Sequence, residues 1–138
     1  MWKTCINHST VLPLDILTFT KLSAEIGFEG IEYRIPKIVE AMKTGKLANL
    51  KELIRKTNID IVGLNAVENF SLIPELEFRK MLKSLETLLP LSKEINCNLI
   101  IAVPSPQTNL VKNKQYVIKK TIERLTELSK LALKYDIN

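Results

Sequence analysis

The stretch AEIGFEGIEYRIP, residues 24–36, holds the junction on which the reading of this chain turns. Ile26 closes a helical run, and Gly27 stands where a helix C-cap glycine belongs. A short β-rich run then opens at Gly30. Strand alternation places Glu32 on the face opposite Ile31 and Tyr33, with Arg34 on the same side as Glu32. The junction recurs. RKTNIDIVGL (55–64), KEINCNLIIA (93–102) and LALKYDIN (131–138) each pass from a helix end through one tight turn into a β-rich run.

Working outward, strand-like runs lie at residues 3–7, 30–33, 59–65 and 99–103, the last stopped by Pro104 and Pro106. Helical spacing falls between them. Ile16, Phe19, Leu22 and Ile26 follow Pro13, a good first-turn residue, and Leu47, Leu50, Leu53 and Ile54 mark the second helix. Phe78, Leu82, Leu85, Leu89 and Ser92 carry the third, with Pro90 set to kink its last turns. Ile118, Ile122, Leu125, Ser129 and Ala132 form the buried stripe expected of the fourth. Units of roughly 30–40 residues with near-continuous apolar strands predict a parallel sheet covered by helices.

Two architectures fit an α/β chain of this kind. A doubly wound sheet usually carries a glycine-rich phosphate turn after its first strand. Here that place holds His8-Ser9-Thr10, and neither GxGxxG nor GxxxxGK[ST] occurs. A (β/α)8 barrel needs no such fingerprint but typically takes about 250 residues. The 138 residues supply four βα units and stop where a fifth strand would start. The expectation is a single partial domain, residues 1–138, forming half of a TIM barrel with four strands and four helices.

Composition bounds the function. Apolar residues make up 46% and charged ones 25%, the balance of a soluble globular chain. The net charge is +5. Its two dense runs, Lys43/Lys46/Lys51/Arg55/Lys56 and Lys112/Lys114/Lys119/Lys120/Arg124, read as the solvated faces of two helices rather than as a nucleic-acid footprint. Cys5 and Cys97 lie in apolar runs outside any zinc spacing and read as small buried hydrophobes. No membrane-length apolar run or secretory h-region is present, so a cytoplasmic location is expected.

LSAEIGFEGIEYR, residues 22–34, resembles the xylose isomerase-like TIM barrels, which include sugar-phosphate isomerases and epimerases, inosose-processing enzymes and endonuclease IV. IDIVGLN (59–65) and CNLIIAVPSP (97–106) are similar to the third and fourth strands of that family. The resemblance implies metal-dependent proton transfer on a sugar-like substrate. It also implies that the metal ligands and base come mainly from the fifth to eighth strands, so a divalent metal is expected only in the complete barrel. No catalytic residue and no metal ligand is expected in this chain.

In a barrel, reactive groups stand at the C-terminal ends of the strands. That rule selects Asn7 and His8, Glu32 and Arg34, Asn65 and Glu68, and Pro104 and Ser105. Of these, His8, Glu32, Arg34 and Asn65 are the candidate substrate-binding residues. Each has a plainer alternative. A lone histidine sits on the surface or packs loops more often than it binds a ligand, and Arg34 could brace the barrel top by pairing with Glu32. Asn65 could serve as a turn residue. Three functions follow: the N-terminal half of a sugar isomerase or epimerase, a non-catalytic half-barrel held as a homodimer or by a second half-barrel, or, last, an endonuclease IV-like nuclease. The last uses histidines after the third and fourth strands, where this chain has Asn65-Ala66 and Pro104-Ser105.

Overall fold

One backbone device recurs at the helix-to-strand junctions. Gly27, Asn58, Asn96 and Asp136 all adopt left-handed backbone, with φ of 99°, 54°, 55° and 51°. These are residue types that tolerate that region, and the conformation turns the chain out of the helix. Within two or three residues the backbone joins the preceding strand. Glu29 and Gly30 donate N–H groups to the Thr4 carbonyl, Asp60 to that of Glu29, and Asn138 to that of Asn98. The four junctions read from sequence are therefore one structural unit repeated.

The computed structural model describes residues 3–106 and 113–138. Its strands are β1 (Cys5–Asn7), β2 (Gly30–Arg34), β3 (Asp60–Glu68) and β4 (Ile100–Val103). A short 3-10 turn, His8–Val11, follows β1. The helices are α1 (Ile16–Ile26), α2 (Ile35–Lys43), α3 (Leu47–Thr57), α4 (Glu75–Glu94) and α5 (Lys114–Leu133). All strand pairs are parallel, in the order β1-β2-β3-β4. Sequential order throughout is that of a barrel segment; a doubly wound sheet reverses direction part-way.

The core lies between the sheet and its helices. Ile31, Tyr33, Ile61, Leu64 and Val67 point into it and meet Phe19, Ile38, Leu50, Phe78, Leu85 and Leu89. The Thr20 hydroxyl donates to the Ile16 carbonyl at 2.6 Å, so the Tyr33 phenol 2.6 Å away is the donor to Thr20. The other sheet face is open: Val62, Leu99 and Val103 stand exposed there. Two glycines fit that face closely. A Cβ on Gly30 would come 2.8 Å from the Val62 side chain, and one on Gly63 would touch Leu99 at 3.5 Å.

Several expectations are corrected. There are five helices, not four: α2 follows β2 without a loop, with Pro36 in its first turn and Ile38 and Ala41 buried. Pro90 stands inside the last turns of α4 as expected, on the helix's exposed side. Of the stripe assigned to α5, Ala132 packs against the core and the rest points the wrong way. Ile118, Ile122, Leu125 and Ser129 are exposed, and the buried side carries Arg124, Leu128 and Leu131. Leu22 and Ile26 of α1 are likewise exposed, as is Cys5, while Cys97 is buried. Periodicity identifies an apolar face but not what covers it.

Arg124, read as a surface cation of the second basic run, is a buried staple. Lys112 of the same run lies outside the described residues. The Arg124 guanidinium donates to the Phe70 and Ile73 carbonyls at 2.9 and 2.6 Å and pairs with Glu75 at 3.3 Å. It lies over the Phe78 ring, 4.7 Å from the centroid. The Ser105 hydroxyl holds the same loop, donating to the Asn69 carbonyl and accepting from the Leu72 N–H. Removing Arg124 strands those carbonyls in the interior. Arg124→Leu is expected to cost about 1–3 kcal/mol in urea unfolding, of the order seen when buried polar groups lose their hydrogen-bond partner. Arg124→Lys recovers only part of that, because an ammonium lacks the planar fork that reaches two carbonyls and a carboxylate together.

Candidate functional site

The open face of the sheet becomes polar at its C-terminal end. In the parallel register Asn7 is opposite Glu32, and Arg34 is opposite Asn65. Parallel partners share a face, so three neighbouring strands direct these four side chains together. Glu32 is the centre. Its Oε1 accepts from the Asn7 carboxamide and from the Asn65 Nδ2 at 2.7 Å. Among the described residues its Oε2 has no hydrogen-bond partner, so one oxygen is anchored and the other is available to a ligand.

The two asparagines are held differently. Asn7 Oδ1 accepts from the Ser9 N–H at 2.7 Å, which fixes the carboxamide so that its nitrogen faces Glu32. The start of the first βα loop thereby orients the carboxylate. Asn65 Nδ2 is committed to Glu32, while its Oδ1 has no partner among the described residues. Arg34 does not pair with Glu32. Its guanidinium lies 3.9 Å from Glu68, and its Nε is buried without a partner. The mouth thus offers free acceptors on Glu32 and Asn65 beside guanidinium donors on Arg34. That mixture of donors and acceptors is what a ligand with several hydroxyl groups can engage.

His8 sits elsewhere. It is fully buried and stacked on Phe19 at 4.1 Å, with Tyr33 edge-on, in the layer between sheet and helices. Its Nε2 lies 3.1 Å from the Leu14 carbonyl and is the donor there, which leaves Nδ1 unprotonated; that nitrogen is buried without a partner. Burial in this apolar stack lowers the imidazole's pKa, with Lys37 and Arg34 pushing the same way. Glu68 is exposed and serves Arg34. The structure brings Glu32, Asn65 and Arg34 together, adds Asn7 to them, and leaves His8 in the core. The signal for Asn7 was its place at the end of β1, one residue from the histidine that drew attention.

Among the described residues no three of histidine, cysteine, aspartate and glutamate gather to hold a metal ion. The donors at the mouth are two carboxamides, one carboxylate and one guanidinium, a set that fits hydroxyl groups better than a divalent cation. Also among the described residues, no helix is long and apolar enough to cross a membrane.

No protein-family model matches the chain. In sequence it is 28% identical over 138 residues to the inosose isomerase of Bacillus velezensis, covering 99% of this chain and 49% of that protein. In structure it is similar to the IolI protein crystallised with a bound zinc atom, with a TM-score of 0.87 and 26% identity over 99% of this chain and 50% of that one. A xylose isomerase domain-containing protein of Salmonella typhimurium shares the fold at a TM-score of 0.71 and 24% identity, over 99% and 47% of the two chains. D-psicose 3-epimerase, solved in the presence of D-fructose, does so at 0.75 and 15%, over 99% and 50%. The chain spans about half the length of the relatives it matches. Its fold is the first half of a xylose isomerase-like TIM barrel.

Two measurements test this arrangement. Glu32→Leu leaves the Asn7 and Asn65 carboxamides without their acceptor, and is expected to cost about 1–3 kcal/mol in urea unfolding. Glu32→Gln keeps an oxygen facing them and is expected to cost less. For His8 the folded pKa lies below the unfolded value of about 6.5, so between the two the unfolded chain binds more protons. The histidine's contribution is complete above that pH and is lost as pH falls below it, by up to about 1.4 kcal/mol per unit. Urea curves at pH 7.5 and 5.0 are expected to show a larger acid loss for the native chain than for His8→Gln.

Proposed function

We propose that this chain, with the fold of the first half of a xylose isomerase-like barrel, supplies the N-terminal substrate wall of a sugar isomerase or epimerase. The observation that carries the reading is Glu32, anchored through one oxygen by Asn7 and Asn65 and open at the other, on the inner face at the C-terminal strand ends. That is the end where barrels of this kind place their active sites. The relatives' names point to the same substrate class, cyclic or open-chain polyhydroxy ketones.

In the working barrel the residues have distinct tasks. Glu32 Oε2 accepts from a substrate hydroxyl, Asn65 Oδ1 from a second, and Arg34 donates to an oxygen near the rim. His8 supports the first loop from the core through its bond to Leu14. Isomerisation of a hydroxy ketone requires proton removal from the carbon beside the carbonyl. A divalent metal, where present, supplies polarisation of the substrate oxygens. Neither the base nor the metal ligands are assigned to this chain; they belong to the complementary half. The free thiols Cys5 and Cys97 suit a reducing cytoplasm.

A fused polypeptide tests the assignment. This chain is joined to the part of the Bacillus velezensis inosose isomerase that lies outside the matched half, and inosose isomerisation is followed with added divalent metal. Activity is expected, and Glu32→Gln is expected to lower kcat/KM by roughly 10- to 150-fold, the equivalent of about 1.5–3 kcal/mol for one charged hydrogen bond. An active fusion in which Glu32→Gln has no effect removes Glu32 from the substrate wall.

A further inference from the structure

We infer that His8 is a positioning residue for Glu32 and a pH-sensitive latch on the first βα loop. As a neutral imidazole it pins the loop so that Asn7 holds the carboxylate, and protonation undoes the pin. The inference rests on the placement of Glu32 in the substrate wall for its consequence, weaker engagement of substrate in acid. The latch itself is a property of this chain.

The loop leaves the rim directly after Asn7. Asn7 Oδ1 accepts from the Ser9 N–H at 2.7 Å, and the Thr10 hydroxyl donates to the Asn7 carbonyl at 2.8 Å. Both bonds are local, and Ser9 and Thr10 stand exposed to water. The longer tie belongs to His8. Its Nε2 donates to the Leu14 carbonyl at 3.1 Å, six residues on, while its ring stacks on Phe19 at 4.1 Å with Tyr33 edge-on. The imidazole thus fixes both ends of the loop to the core. Asn7 is the residue before it, so the seat of the ring sets the direction of that carboxamide and, through it, of Glu32.

The seat suits the neutral ring alone. Nδ1 is buried without a partner among the described residues, so a proton added there meets no acceptor. Each element around the ring adds to the difficulty. From α1 comes the apolar face of Phe19; from β2 comes Tyr33, whose phenol donates to Thr20 and is kept protonated by its burial. Burial is the largest force against a charged imidazole, and Lys37 of α2 and Arg34 at the end of β2 oppose it as well. Asp15, ahead of α1, favours the charge, but more weakly than those cations oppose it. Its oxygens are already engaged, Oδ1 by the Leu17 and Thr18 N–H groups and Oδ2 by the Thr18 hydroxyl.

The sign of the response follows. In an opened loop His8 is solvated and titrates near its ordinary value of about 6.5, whereas in the closed loop it titrates lower. Between those values the open form binds more protons, so its share rises as pH falls, by up to about tenfold per unit. Opening takes the Ser9 N–H from Asn7 and frees its carboxamide to turn. Glu32 then keeps Asn65 but loses the partner that came from the loop.

The test follows the isotope-labelled chain by NMR from pH 7.5 to 5.0, without substrate or metal. The Ser9 N–H and Asn7 carboxamide resonances are expected to move with those of the imidazole, along one curve with its midpoint below about 6.5. The Leu64 N–H, held by the Leu99 carbonyl in the core of the sheet, is expected to stay in place. His8→Gln has no proton to gain and is expected to hold the Ser9 and Asn7 resonances still. Lys37→Gln keeps the imidazole but removes an opposing cation, so it is expected to raise the midpoint; this variant decides the matter should His8→Gln not fold. Ser9 and Asn7 resonances that ignore the imidazole overturn the proposal, as does a titration that persists in His8→Gln or a midpoint unmoved in Lys37→Gln. Loss of the Leu64 signal together with that of Ser9 overturns it too, because acid would then be acting on the whole fold. A failed latch leaves the assignment of Glu32 to the fused polypeptide, and a Glu32 without effect there leaves the latch standing.

Discussion

The left-handed residue at each helix end is the constraint on which this structure depends. A parallel sheet needs every strand to start at the same end, so each helix must hand the chain back in one fixed direction. Gly27, Asn58, Asn96 and Asp136 do this with one backbone conformation, followed within three residues by a bond to the preceding strand. The strands follow one another in the order β1-β2-β3-β4, as crossovers of a single hand produce, and their parallel pairing brings the C-terminal ends of all four to one rim.

The rim explains the chemistry of the inner face. Below it, that face carries Gly30, Val62 and Leu99, which fit closely and offer little to a polar ligand. At the rim Asn7, Glu32, Asn65 and Arg34 replace them. Glu32 is anchored through two carboxamides and, among the described residues, pairs with no cation, Arg34 lying nearer Glu68. An asymmetrically held carboxylate is oriented yet keeps an oxygen for a ligand. The loops behind it are ordered from outside: Arg124 and Ser105 together satisfy much of the backbone between β3 and α4. A cation and a hydroxyl that contact none of those four side chains thus hold the loop after β3 in place.

Much of the fold was legible because its signals are local. A glycine, asparagine or aspartate after a helical run, followed by β-rich residues, reports a turn without reference to the rest of the chain. Strand alternation separated Glu32 from Ile31 and Tyr33, and β2 keeps that separation. Helix α2 was missed because Ile35-Pro36 also reads as the end of a strand, and only the packing of Ile38 and Ala41 decides otherwise. The α5 stripe and Leu22 with Ile26 in α1 were assigned to the interior because apolar spacing carries no address. Arg124 was placed on the surface because nothing near it in sequence announces the Phe70 and Ile73 carbonyls, which arrive from more than fifty residues away.

The sequence by itself determined the α/β class, the repeating βα unit, the strand positions and the set of residues at the strand ends. Those follow from the propensities and periodicity of neighbouring residues. Tertiary structure decided the roles within that set. It gave Asn7 to Glu32, Arg34 to Glu68 and His8 to the core beside Phe19, and it turned one side of α5 outward. Each of those outcomes depends on the register between strands and the packing of helices onto the sheet, distances that no local pattern encodes.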